Sequence, residues 1–394
     1  MFRQLLLIGF FMVGLCIFRC VDGFAETGFI YPAEWEPHTS VWMGFRTHDE
    51  GLVHEAFLQQ LIQTVTDHVH VHLVVEDQGL FSEQPIYFSM LGIDPSRITV
   101  QILKPADFWF RDSGPLFLVN QRKQKAVADF NFSNYQNTGL KNRSQKAKDL
   151  DQIDRNIAGH RRLPLIASPV VLEGGAFDVN GNGTILLSSL ILQRNPDMTK
   201  ETIEQEILRT LGQKKAIWLN RGLAQDPQGA QQIAEGYWGR GTGGHVDQFA
   251  RFVNPGTILL AWTDAPHPVN RINHDRMREN YRILLKETDQ DGNAFTIIKV
   301  PLPELDIQQT VSSKTDAVYD VAATSYLNFL ITNGLVLVPE YWAPGKPLSV
   351  KQKDDFMKNL MKHFFPGREI KTINPISLNR YGGGLHCIYQ QEPQ

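Results

Sequence analysis

The chain has 394 residues, with 39 basic against 42 acidic side chains and a formal net charge of −3. That near-neutral balance argues against a nucleic-acid binder, which carries a strong basic excess. The length is ample for an enzyme-sized hydrophobic core.

The first element is a leader. Arg3 supplies a positive start, Leu5 to Phe18 is an unbroken apolar run, and Gly23-Phe24-Ala25 offers small residues for cleavage. The run has fourteen residues, short of the ~20 that cross a bilayer as a helix. The expectation is a signal peptide over 1–25 and a single domain over 26–394, exported to a periplasm or secreted, with an uncleaved anchor as the alternative. No later stretch is apolar enough to span a membrane. Cleavage after Ala25 removes Cys16 and Cys20 and leaves one cysteine, Cys387. One cysteine makes neither an intrachain disulfide nor a multi-cysteine zinc site. Composition alone favours an inert buried thiol, since free cysteine packs as a small hydrophobe.

Past the leader, helix-like and hairpin-like stretches alternate. "VHEAFLQQLIQTVTDHV" (53–69) spaces its apolar residues by three and four, as a helix does. "RDSGPLFLVNQRKQKAVADFNF" (111–132) reads as a hairpin with a basic turn, and the charged "KNRSQKAKDLDQIDRN" (141–156) as a solvated helix or loop. "EGGAFDVNGNGTILLS" (173–188) is a clearer hairpin about Asn-Gly-Asn-Gly. "TKETIEQEILRTLG" (199–212) is a helix with Thr199 as its N-cap and Glu201 and Glu204 near the positive end of its dipole. Two more hairpins follow, "GHVDQFARFVNPGTILLAW" (244–262) and "SYLNFLITNGLVLVPEY" (325–341). A helix over "DDFMKNLMKHFF" (354–365) and a last strand start in "GGGLHCIYQQ" (382–391) complete the series. No linker interrupts it, so the chain reads as one domain of degenerate repeats.

The leading residues of these hairpins are Asp112, Glu173, His245 with Asp247, Asn328 and Cys387. They are separated by 61, 72, 83 and 59 residues, so roughly five units fill the chain. Units packed about an axis bring these positions to one end of it. Scattered core strands would not put ionisable residues at the same relative place each time, and this moves Cys387 from inert to reactive. His245 is the best base for it and His386 the second choice. Neighbours on an extended strand point oppositely, so His386 is expected to face away from Cys387 as a packed core residue. By the same rule "HVD" puts His245 and Asp247 on one face of a strand. A metal could use that pair, but there is no HExxH and no second dense ligand cluster.

Carboxylates beside a thiol disfavour the thiolate unless the substrate brings the positive charge. A guanidinium is planar, permanently cationic and pairs with carboxylates in two-pronged fashion. Asp112 and Asp247 would hold it while Cys387 attacks its central carbon. His245 would protonate departing ammonia and then activate water, with Glu173 orienting the imidazole or taking a guanidinium nitrogen. Trp109 and Phe110 would wall the pocket, or serve as ordinary core aromatics.

At this point the chain resembles a known family, that of agmatine deiminases, which also contains bacterial peptidyl-arginine deiminases. The resemblance runs through "PAEWEPHTSVWMGF" (32–45), "WFRDSGP" (109–115), "LEGGAFDVNGNGTILL" (172–187), "TGGHVDQFARFVNPGTILLAW" (242–262), "SYLNFLITNG" (325–334) and "GGGLHCIYQQ" (382–391). It implies an α/β pentein fold, a five-bladed β/α propeller with pseudo-fivefold symmetry and its active site on the axis. It implies Cys387 as nucleophile, His245 as general acid and base, Asp112 and Asp247 on the guanidinium, Glu173 in the second acidic role, and Asn328 in an Asn-Phe motif. No metal or organic cofactor is implied. The sequence departs from the family pattern at Gly243, Gln248 and Gly384. The expected substrate is agmatine, giving N-carbamoylputrescine; peptidyl arginine is the alternative, and a catalytically silent guanidinium binder the third reading. A homo-oligomer is compatible with all three.

Overall fold

Residues 28–45, 55–76, 88–310 and 318–394 are described by the computed structural model; the leader expected at 1–25 lies outside them. One order of elements recurs: an antiparallel hairpin, a helical crossover, then a strand parallel to the second hairpin strand. It is seen in β4 (Leu116–Val119), β5 (Lys125–Asn131), α2 (Ile153–Arg161) and β6 (Leu165–Val171). The second unit is β7 (Phe177–Val179), β8 (Thr184–Ser188), α3 (Lys200–Leu211) and β9 (Lys215–Leu219). The third is β12 (Ala250–Asn254), β13 (Thr257–Trp262), α4 (Pro268–Leu284) and β14 (Thr296–Pro301). The fourth is β17 (Leu330–Thr332), β18 (Leu335–Pro339), α5 (Leu348–Phe364) and β19 (Glu369–Ile373).

The closing unit is assembled from both ends of the chain. β20 (Tyr389–Pro393) pairs antiparallel with β1 (His38–Gly44), which passes through α1 (Glu55–Thr66) to the parallel β2 (His70–Val75), extended by β3 (Ile98–Ile102). Parallel neighbours need a crossover of a dozen or more residues, and a helix supplies it with its backbone bonds satisfied. These five units match the roughly five repeats that the spacing of the hairpins predicted, and they are consistent with the α/β propeller that the resemblance implies. Outside them lies a second kind of piece, the sheet β10-β11-β16-β15, built from β10 (Gln228–Ala234), β11 (Tyr237–Thr242), β15 (Ile307–Thr310) and β16 (Val318–Val321). Sequence reading did not anticipate it, nor the long α4.

Local chemistry explains why the units form where they do. Asn180 Oδ1 accepts from the N–H groups of Asn182, Gly183 and Thr184, and Gly181 stands at φ +77°, so the turn between β7 and β8 is fixed by its own residues. Thr199 caps α3 by accepting from Thr202 N–H, and Gly212 ends the helix in the left-handed region. The charged stretch at 141–156 forms two short helices, and it is less solvated than its composition suggests: Ala147, Leu150, Ile153 and Ile157 are buried. The helix expected over 354–365 begins earlier, at Leu348.

Strands β8 and β18 are buried along their whole length, since helices cover one face and neighbouring units the other. Each fully buried Leu, Ile or Val there contributes about 1.5–3 kcal/mol by leaving water. Among the described residues no helix is long and apolar enough to cross a membrane.

The seam between β1 and β20 is locked by Glu392. Its Oε2 accepts from Ser40 Oγ (2.8 Å) and Trp42 Nε1 (2.9 Å), and its Oε1 pairs with Lys125 and Arg161, both at 2.8 Å. Burial opposes ionisation, but these donors and cations hold the carboxyl at about 2, below its ordinary 4.5. A depressed carboxyl adds stability above its unfolded pKa and loses it as pH falls through the folded one. Glu392→Gln should therefore lower the thermal midpoint at pH 7, and the gap to wild type should close between about pH 4.5 and 2; an unchanged gap at pH 3 would contradict the assignment.

Candidate active site

Each unit presents a tight turn at the same end, just before its hairpin. Phe110–Ser113, Gly174–Ala176, Val246–Gln248 and His386–Ile388 are single helical turns, and Tyr326–Leu327 is a bend. Asp112, Glu173, His245, Asp247, Asn328 and Cys387 all sit on or beside these turns. This corrects one expectation: neither "HVD" nor the His386–Cys387 pair is extended strand. With about three residues per turn, alternation does not apply, and His386 does not simply face away into the core.

The turns bring these residues together. His245 Nδ1 lies 3.7 Å from Asp112 Oδ1, and its Nε2 lies 3.6 Å from Glu173 Oε2. The Cys387 sulfur lies 3.7 Å from Asp247 Oδ2 and 3.5 Å from Asn328 Nδ2. Asp247 Oδ2 also meets His386 Nδ1 at 2.8 Å. Asn328 Oδ1 accepts from His386 N–H at 2.8 Å, so this amide fixes the turn that carries the cysteine. A cavity of about 310 Å³ opens above, lined by Trp109, Asp112, Tyr135, Thr242, Gly383 and Cys387 among others. Phe110 is not in the lining; it is buried in the core with Trp42 and Phe117. Glu173, His245 and Asp247 are fully buried beneath the floor. Glycines let the floor close up. A Cβ on Gly383 would stand 2.2 Å from the Trp109 ring, and one on Gly175 would stand 2.5 Å from His245 Nδ1. Among the described residues no cluster of three or more His, Cys, Asp or Glu is arranged to hold a metal ion.

The similarity to known proteins covers the same span. A profile described as Porphyromonas-type peptidyl-arginine deiminase matches residues 30–393. The chain belongs to that family. It is 30% identical over 396 residues to the agmatine deiminase of Medicago truncatula, covering 93% of this chain and 96% of the relative. The solved agmatine deiminase of Enterococcus faecalis superposes with a TM-score of 0.73 at 27% identity, covering 93% and 96% of the two chains. A substrate-bound agmatine deiminase from C. jejuni, at 20% identity and a TM-score of 0.70, shares the fold over 93% and 96%. The fold is the pentein fold, and the chain is a hydrolase acting on a guanidino carbon–nitrogen bond.

The charges of this deiminase floor are set by one another and by two neighbours that sequence reading missed, Arg194 and Asp226. Burial works against a charge on His245, but Asp112, Glu173 and Asp247 outweigh it and lift the imidazole to about 9. Burial likewise opposes ionisation of Glu173, yet Arg194, 2.8 Å away through its Nε, leads in holding it at about 2. Asp112 is pushed up to about 6, first by burial and then by Asp247 and Glu173, with His245 opposing. Burial, then Asp247 and Asp112, raise the Cys387 thiol well above its ordinary 9. Asp226 accepts from the N–H groups of Thr242, Gly244 and His245 and so fixes the loop that carries the imidazole. Arg194 and Asp226 left no signal in the sequence beyond being lone charges near apolar runs.

Two outcomes follow for the isolated enzyme. Cys387 should react slowly with neutral iodoacetamide at pH 8, and a cationic haloacetamidine at equal concentration should label it faster, because the floor attracts a cation. Gly175→Ala should lower turnover by about 100-fold, the effect of displacing catalytic groups by about 1 Å, as measured by ammonia release.

Proposed function

We propose that this enzyme converts a guanidinium to a ureido group through a covalent bond to Cys387, and that its preferred substrate is agmatine. One observation carries the reading: a thiol, an imidazole and three carboxylates from four units share one buried floor under a single cavity. The 30% identity to an agmatine deiminase over nearly the whole chain supports the substrate. The apolar leader at 5–18 supports export of the enzyme.

Among the described residues that line the cavity, Lys146 alone is a lysine or arginine. Arg194 neutralises Glu173, and His386 faces Asp247, but Asp112 has only the His245 imidazole across 3.7 Å. A bound guanidinium supplies the missing cation, and its charge makes the thiolate favourable at the moment it is needed. The thiol proton passes to solvent, and the sulfur pair bonds to the guanidino carbon as a carbon–nitrogen π pair moves onto nitrogen, giving a tetrahedral adduct. One nitrogen takes a proton from His245, and its bond to carbon breaks to release ammonia. The remaining carbon–sulfur adduct is attacked by water, which gives its proton to the now neutral His245. The carbon–sulfur bond breaks and the remaining hydroxyl proton passes to the departing sulfur, leaving the ureido product and the thiol. Per turnover, one water enters and one ammonia leaves.

With Asp112 ionising at about 6 and His245 losing its proton at about 9, kcat/KM should rise near the first value and fall near the second. A profile with no descending limb by pH 10 would remove His245 as the proton donor. Ammonia release from agmatine, free arginine and an arginine-containing peptide, measured side by side, tests the substrate. Agmatine is expected to be fastest; preference for the peptide would favour the second reading, suggested by the description of the family profile. Cys387→Ala should lower turnover more than about a thousandfold while still binding the guanidine. Turnover near wild type in that variant would refute the covalent route.

A further inference from the structure

The sheet β10-β11-β16-β15 stands outside the five-unit repeat, yet one side chain of its first strand reaches the deiminase floor by two routes. Gln228 Nε2 donates to the Tyr135 carbonyl at 3.0 Å, and Gln228 Oε1 accepts from the Asn137 amide. Asn137 Oδ1 in turn accepts from Arg194, the partner of Glu173. Tyr135 O–H donates to Asp112 Oδ2 at 3.0 Å. Asn134 and Tyr135 stand at φ +51° and +63°, the left-handed region that side chains with a Cβ disfavour. Consecutive residues stay there only when their surroundings hold them, and Gln228 is part of that hold.

The geometry gives Tyr135 a specific task. A carboxylate that grips a guanidinium with two parallel bonds must present both oxygens in one fixed plane. The terminal torsion of an aspartate is broad and does not fix that plane by itself. In Asp112 each oxygen has one donor from a fixed point: Gly175 N–H on Oδ1 at 2.9 Å, and Tyr135 O–H on Oδ2. Two donors stop the carboxylate turning and leave a second lone pair on each oxygen for a ligand. Gly175 alone would leave it free to swing.

We propose that Tyr135 is a positioning residue for the guanidinium site, acting through Asp112, and that Gln228 holds it in place, so that a strand outside the repeat sets how tightly the cationic end of the substrate is bound. The proposal rests on the guanidine-deiminase reading above. It also has a pH signature. Asp112 is faced by His245, Asp247, Glu173 and Cys387 from other units and by Tyr135 from its own. A hydrogen bond to the charged form favours that form, so loss of the phenol hydroxyl moves the ionisation of Asp112 to higher pH. Ligand is then lost most on the acid side.

The test uses Cys387→Ala protein, in which a bound guanidine is not consumed. Calorimetric binding of agmatine, and of an arginine peptide beside it, is measured at pH 6 and pH 8 for this parent and with Tyr135→Phe or Gln228→Ala added. Tyr135→Phe should weaken binding about tenfold at pH 8, as expected for a hydrogen bond to a charged group, and more at pH 6. Gln228→Ala should act in the same direction and less strongly. In the enzyme with Cys387 intact, Tyr135→Phe should raise KM more than it lowers kcat and shift the acid limb of kcat/KM upward. A purely structural role would instead lower the unfolding midpoint and leave the pH dependence alone. Unchanged binding in Tyr135→Phe, or an equal loss at both pH values, overturns the proposal while the deiminase reading stands. A parent that binds neither ligand, together with wild-type protein that releases no ammonia, overturns both.

Discussion

Everything the site does depends on one buried carboxylate, Glu34. Its Oε2 meets Arg251 at 2.6 Å, and its Oε1 meets Arg111 at 3.3 Å and the His386 ring at 2.5 Å. Burial would push this carboxyl up, but Arg251, His386 and Arg111 together hold it well below its ordinary range. Each partner leads to a catalytic turn. Arg111 precedes Asp112 and bonds the His386 carbonyl and Gln391. Arg251 bonds the carbonyls of Leu327 and Phe329, on either side of Asn328. His386 precedes Cys387 and meets Asp247. An ion cluster of this kind is a poor source of net stability, because desolvation consumes most of its attraction. Its value here is registry. It has one good arrangement, and that arrangement fixes where turns from four units stand relative to one another.

Above this cluster the charge distribution is asymmetric. The cations Arg111, Arg194 and Arg251 lie beneath the floor, each committed to a carboxylate. The thiol and Asp112 line the cavity itself, where no arginine reaches them. On the proposed covalent route, the effect is a thiol suppressed by its own surroundings and released by the ligand. A neutral molecule entering the cavity does not lift the suppression. Selectivity for cations is thus built into activation of the sulfur as well as into binding.

Much of this was legible in the sequence, and the failures have physical causes. The hairpins about Asn180–Gly183 and Asn333-Gly334 announce themselves because their turns are made by local residues. The spacing of Asp112, Glu173, His245, Asn328 and Cys387 survives because each unit repeats one backbone path. Helix α4 was missed because its buried face carries Asn270, Asn273 and Asn280, which interrupt the apolar stripe. Two of them accept from the main chain, Asn273 from Ala224 and Asn280 from Asn220, which is why they are inside. The orientation of His386 was misjudged because three residues are too few to reveal whether a backbone turns or extends. Glu34 and Asp226 were not identified because nothing local distinguishes a buried carboxylate from an exposed one. Their partners are supplied by distant segments, as Arg251 is for Glu34.

The closing sheet joins β20 to β1, so the unit that carries Cys387 is finished only when a late segment returns to an early one. Order of synthesis follows from order in the chain. While a ribosome is still making this protein, four of the units can have emerged with their acids and imidazole in place before the Cys387 thiol joins them. A molecule cut short before residue 387 lacks the thiol that lines the cavity, whatever else it has folded. On the proposed covalent route, reactivity toward a guanidinium therefore waits for the segment whose pairing with β1 closes the ring.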